Sequence, residues 1–85
     1  MASTDAEAHR PLRRHIRVPV GGIACSSDAV ALERALSAVA GVFAAYVNTA
    51  TDTAYVAYDP GQVDGDALAA AVTAAGYRAG RPVPS

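Results

Sequence analysis

Hydrophobic and polar positions exchange along this chain with two different periods, and each change of period marks the end of an element. From His15 to Val20 they alternate, with Ile16, Val18 and Val20 on one face and His15 and Arg17 on the other, the pattern of a half-buried strand. Pro19 has no N–H to give a sheet ladder, so this strand is expected at an edge, or bonded on one side only at that point. After Asp28 the spacing becomes three and four. Ala29, Leu32, Leu36 and Val39 fall on one helical face, Glu33, Arg34 and Ser37 fall elsewhere, and Gly41 is the stop signal.

Alternation returns over Val42 to Asn48 and Thr53 to Tyr58, two runs rich in Val, Tyr, Phe and Thr, with short polar residues from Asn48 to Asp52 between them. They predict an antiparallel hairpin in which Phe43, Ala45 and Val47 share a face with Ala54, Val56 and Tyr58. Asp59-Pro60-Gly61 ends the second strand. Asp64 or Asp66 then caps a second helix with the stripe Leu68, Ala71, Val72 and Ala75, and Gly76 closes it. Tyr77 to about Arg81 supplies a short last strand, and Pro82 to Ser85 reads as a tail or the start of a linker. Residues 1–14 show no hydrophobic period and read as a disordered lead, which leaves residues 15–81 as the folded domain.

The order β-α-β-β-α-β predicts an α+β, ferredoxin-like sandwich: a four-stranded antiparallel sheet with two helices on one face. Following the chain up and down through that topology brings three connections to one end: Gly21 to Ser27, Asn48 to Asp52, and Gly76 with Tyr77. Cys25 is therefore expected near Tyr77. His15, five residues before Val20, belongs about 17 Å toward the other end and is a poor partner for Cys25. His9, in the lead, reaches the loop only at nearly full extension.

Composition narrows the functional classes. One cysteine in 85 residues excludes an intramolecular disulfide, a usage compatible with a reducing, cytoplasmic setting. No apolar run approaches the ~20 residues of a membrane span, and the N-terminus lacks the apolar middle of a signal peptide, so a soluble segment with no membrane insertion is expected. A net charge of −1 argues against a nucleic-acid partner. The local basic cluster of His9, Arg10, Arg13, Arg14, His15 and Arg17 reads as a solvated tail.

The chemistry concentrates in Val20-Gly21-Gly22-Ile23-Ala24-Cys25-Ser26-Ser27-Asp28, which joins the first strand to the first helix. Two glycines allow a sharp turn, and Ser26 or Ser27 is suited to cap the helix. Cys25 then lies at the helix N-terminus, where the dipole and free N–H groups favour a thiolate, the form that binds metals. Asp28, in the first turn, also interacts favourably with the dipole. The alternative is that Cys25 is a small apolar residue tucked under the loop.

From about Ile16 to Tyr77 the chain resembles the heavy-metal-associated domain, found in copper metallochaperones and as cytosolic modules of P-type metal-transporting ATPases. The family pattern looks like Val-x-Gly-Met-Thr-Cys-x-x-Cys, followed by Glu and Ala-Leu in a helix, Gly-Val, Val-Asn, Val-x-Tyr-Asp-Pro and Ala-Gly-Tyr. In this chain Val20, Gly22, Cys25, Glu33, Ala35, Leu36, Gly41, Val42, Val47, Asn48, Val56, Tyr58, Asp59, Pro60, Ala75, Gly76 and Tyr77 fill those places. Ile23 stands for the loop methionine as a core anchor. The departure is at the second cysteine, where this chain has Asp28, and Ala24 replaces the usual threonine.

The resemblance implies a metal-binding module for trafficking or transport, not an enzyme, with Cys25 and Asp28 as metal residues and Ser26, Ser27 and Tyr77 nearby. Two thiolates suit Cu(I). One thiolate and one carboxylate shift preference toward Zn(II) or a similar ion, and two protein ligands are too few for a closed zinc site. The missing ligands come from water, a small thiol, a metallochaperone or P-type ATPase partner, or the Cys25 of a second copy in a metal-bridged homodimer. The alternative is a degenerate domain of the same fold that binds no metal and serves as a regulatory or docking module of a transporter. An acylphosphatase-like hydrolase on this fold would need a guanidinium in its phosphate loop, and Gly21 to Ser27 contains none.

Overall fold

Ile16, Val18 and Val20 are buried while His15, Arg17 and Pro19 between them are exposed, so β1 (Arg14–Gly21) forms with the alternation of its sequence. The structure, a computed structural model, describes residues 13–84. The lead before Arg13, with His9, lies outside the described residues. Arg14 itself already belongs to the first strand, pairing with Tyr58.

The elements that follow are α1 (Ser26–Ser37), β2 (Val42–Asn48), β3 (Thr53–Tyr58), α2 (Gly65–Ala74), β4 (Arg78–Ala79) and β5 (Val83–Pro84). The antiparallel sheet runs β2-β3-β1-β4, with β5 also paired to β1, and two helices complete the ferredoxin-like arrangement. Strand β1 is thus interior and not an edge. Pro19 is tolerated there because the ladder breaks beside it: its carbonyl accepts from Gly80 N–H at 2.7 Å, and the pairing passes from β4 at Val20 and Gly21 to β5 at Ile16 and Arg17.

Two expectations are corrected at the C-terminal end. The last strand spans only Arg78–Ala79, and Val83–Pro84, expected as tail or linker, joins the sheet opposite Ile16 and Arg17. Prolines that read as the end of structure are compatible with a short strand on a sheet margin, where a donor is not required.

The hairpin carries a third correction. The register of β2 against β3 shifts between Val42 and Ala44, so Val42 faces Tyr58 while Ala44 faces Ala57. Phe43 is the extra residue of a bulge and is 41% exposed, and Val42 packs against the core in its stead. One inserted residue reverses the side on which its neighbours point. Ala45 and Val47 keep their expected inward face.

The core lies between sheet and helices. Leu32 and Leu36 of α1, Leu68 and Val72 of α2, and Val18 and Val56 of the sheet are fully buried, each contributing about 1.5–3 kcal/mol of apolar transfer. The helices end short of their expected stripes: α1 stops at Ser37 and α2 at Ala74, so Val39 and the exposed Ala75 lie just beyond them. Asp64 caps α2 by accepting from Ala67 N–H, and Gly41 turns the chain after α1 at φ +94°, where a Cβ would come within 2.7 Å of Gln62 Cβ. Glu33, on α1, reaches β2 and accepts from Val47 N–H at 2.8 Å.

Candidate metal centre

The turn out of β1 delivers Cys25 to the start of α1. Gly22 takes φ +92° and a side chain there would also approach the Tyr77 ring, so the chain passes close under that ring before Ile23 anchors it on the core. Cys25 is extended, at φ −155° and ψ 174°, and its carbonyl accepts from Asp28 N–H and Ala29 N–H.

It is Cys25, and not Ser26 or Ser27, that occupies the cap position, with no side-chain capping bond. The two serines lie in the first turn. Three residues on, Asp28 reaches back past the cap: its Oδ2 accepts from Ala24 N–H at 2.9 Å, one residue before the Cys25 N–H that a capping box would use. Ser27 Oγ is left to hydrogen-bond Cys25 Sγ at 3.0 Å, and Ser26 is exposed.

Around the sulfur the groups converge from two regions of the chain. Sγ is exposed and lies 3.8 Å from Asp28 Oδ2. Tyr77, in the turn after α2, packs against the core and donates its hydroxyl to Asp28 Oδ1 at 3.1 Å. The Ser27 hydroxyl, followed by the backbone N–H groups of Asp28 and Ser27, lowers the Cys25 pKa below its ordinary value against partial desolvation and, less, the charge of Asp28. Ala24 N–H, then the Tyr77 hydroxyl, hold the Asp28 carboxyl below the ordinary carboxylate value. Burial first, and the bond to Asp28 second, raise the Tyr77 phenol, which stays a donor.

Cys25, Asp28, Ser27 and Tyr77 are therefore brought together. Among the described residues no group of three or more His, Cys, Asp or Glu side chains gathers in one place, and His15 pairs with Ala57, six residues back along β1 from Gly21. The arrangement offers one thiol biased toward thiolate and one ionised carboxylate beside it, a mixed soft and hard donor pair open to solvent. The topology alone brings Tyr77 near the loop, but nothing local in the sequence signals its bond to Asp28 or singles out Ala24 N–H as the donor within the loop. The Cys-x-x-Asp spacing signals an acceptor reaching back from the third helical residue, though a box starting on cysteine would bond Cys25 N–H and not Ala24 N–H.

The model of the heavy-metal-associated domain family matches residues 17–78. Over 66 residues, 78% of this chain, the sequence is 42% identical to Copper-transporting ATPase 2 of Rhizobium meliloti strain 1021, of whose length the match spans 8%. A crystal structure of a copper binding domain from HMA7, a P-type ATPase, superposes with a TM-score of 0.82 at 32% identity, covering 85% of this chain and 97% of that one. The CopZ metallochaperone superposes with a TM-score of 0.75 at 29% identity, over 78% of this chain and 98% of that one.

Proposed function

The chain belongs to the heavy-metal-associated domain family, and from that premise we propose that it is a non-catalytic module that carries a heavy-metal ion on its Cys25 loop. The observation that supports this most is the state of Cys25: exposed, at a helix start, and lowered in pKa by the hydroxyl and amide donors around it. A thiolate is the group a soft or borderline cation takes first.

Asp28 is the second ligand, and it sets the class of cargo. Metal–sulfur and metal–oxygen bonds of about 2.3 Å and about 2.0–2.2 Å together exceed the separation of Sγ and Oδ2, so one ion reaches both atoms in a bent arrangement. That separation is 3.8 Å. The mixed pair favours a Zn(II)-like ion, with Cu(I) held chiefly through sulfur. Two ligands leave positions for water, a small thiol, the cysteines of a metallochaperone or P-type ATPase, or a second Cys25 in a metal-bridged dimer. An exposed free thiol persists in a reducing compartment, which supports a cytosolic setting for the module. No helix among the described residues is long and apolar enough to cross a membrane.

A docking or regulatory module without metal is the second reading. It is favoured by one observation: both Asp28 oxygens already accept hydrogen bonds, from Ala24 N–H and from Tyr77. Titration of Zn(II) and Cu(I) against a competing chelator decides between them. Submicromolar binding that Cys25→Ser abolishes is expected; full affinity in that variant overturns the site, and no binding by the unaltered chain selects the docking reading.

A further inference from the structure

The Asp28 carboxylate is gripped by donors from two separate parts of the fold. Ala24 N–H reaches Oδ2 from within the loop, at 2.9 Å, and the Tyr77 hydroxyl reaches Oδ1 at 3.1 Å from the turn that follows α2. The oxygen left beside the sulfur is Oδ2, 3.8 Å from Sγ. We propose that Tyr77 is a positioning residue that selects the cation: by holding Oδ1, its hydroxyl keeps Oδ2 beside Cys25 Sγ, and so gives the loop its preference for a Zn(II)-like ion over Cu(I). This rests on the reading of Cys25 as a metal ligand.

An unrestrained aspartate turns about two torsions, and freezing them on binding subtracts from affinity. Ala24 N–H and the Tyr77 hydroxyl together hold them beforehand, and Tyr77 is well placed for its share. Its ring packs on the core and passes beside Gly22, and its N–H is bonded to the Val72 carbonyl at 3.2 Å. The hydroxyl position is thereby set by the core and not by the loop.

Neither donor exhausts the carboxylate. Each ionised oxygen has two acceptor sites, so Oδ2 keeps one for a cation beside Ala24 N–H once the Cys25 thiol, which otherwise donates to it, is ionised. Donors that orient a ligating group typically carry 10–100-fold of metal affinity. The effect is confined to cargo that uses oxygen. Cu(I) is bound by sulfur and gains little from a carboxylate, so the hydroxyl of Tyr77 bears on one ion and not on the other.

Tyr77→Phe keeps the ring and removes the donor. Its dissociation constant for Zn(II) is expected to rise about tenfold or more, while that for Cu(I) stays unchanged and circular dichroism reports the same fold. In an Asp28→Asn background the same change is expected to cost Zn(II) nothing further, because the group it positions is altered. With Co(II) as a spectroscopic probe, the sulfur charge-transfer band persists in Tyr77→Phe while the ligand-field bands shift. Equal losses for both metals, no loss for Zn(II), or an undiminished effect in the Asp28→Asn background overturns the proposal. Cys25→Ser serves as the reference. If it abolishes binding and Tyr77→Phe changes nothing, only the role of Tyr77 falls; if it leaves binding intact, the site and the role of Tyr77 fall together.

Discussion

Glu33 on α1 accepts a hydrogen bond from the main-chain N–H of Val47 at 2.8 Å, fourteen positions along the chain. Strand β2 is the outermost strand on its side of the sheet, and its sequence from Val42 to Asn48 contains neither charge nor proline. Such a margin is exposed to pairing with other chains. A carboxylate that occupies one of its donors both secures the helix to the strand and closes that position.

Replacing Glu33 by alanine is therefore expected to destabilise the fold by about 1.5–3 kcal/mol, the range for hydrogen bonds to charged groups. Chemical denaturation measures it, and the Val47 amide should exchange with solvent faster in the variant. A loss no larger than that of an exposed Arg34→Ala control would show that the bond contributes nothing.

The Cys25 thiol is expected to alkylate with a pH midpoint below the ordinary thiol value, because Ser27 and the backbone N–H groups at the helix start favour the thiolate. Ser27→Ala removes the largest of these contributions and should move the midpoint upward. Iodoacetamide rates across a pH series give both values. An identical midpoint in the two chains would dissociate the hydroxyl from the acidity of the sulfur.

Acid should weaken the metal-free chain through Asp28 and Asp59. Asp59 is lowered by the Gln62 side chain and by Gly61 N–H, as Asp28 is by Ala24 N–H and Tyr77. Both folded-state values lie below the unfolded value of about 3.9. Their stabilisation is complete above that value and disappears as pH falls through the folded values. Melting temperatures are expected to decline on that limb and to decline less steeply in Asp59→Asn. A parallel decline in that variant would assign the acid sensitivity to other groups.

Asp28→Cys converts the mixed donor pair into two thiolates within one helical turn. Cu(I) affinity is expected to increase about tenfold or more, since soft ligands suit that ion. Competition with a Cu(I) chelator reads the change. Unaltered affinity would mean that the side chain at position 28 does not face the metal.

How much of this was legible beforehand depended on whether the deciding force was local. The periods of Ile16, Val18 and Val20, of Ala29, Leu32 and Leu36, and of Leu68 and Val72 identify the core because burial of an amphipathic face is written every two or three to four residues. Asp64 or Asp66 is readable as the cap of α2 because capping is a local hydrogen bond, and Asp64 takes that position. Alternation points Phe43 inward and the fold leaves it exposed, since a bulge adds one residue without altering composition. Ser26 or Ser27 reads as the cap of α1, but Cys25 holds that position with no side-chain capping bond, and the nearby carboxylate of Asp28 bonds Ala24 N–H just outside the helix. The contacts of Glu33 with Val47 and of Tyr77 with Asp28 span fourteen and forty-nine positions, and no local pattern encodes which side chain meets which.

Pro19, near the end of β1, withholds a donor from one flank of that strand, and its carbonyl is taken by Gly80. No single long neighbour can zip along such a flank, so the closing segment of the chain is stitched on in two brief runs, Arg78–Ala79 and Val83–Pro84. Each run is held by few bonds. The sheet should accordingly loosen from this seam first, and Val83 should lose its protection while Val18 and Val56, fully enclosed at the centre, retain theirs.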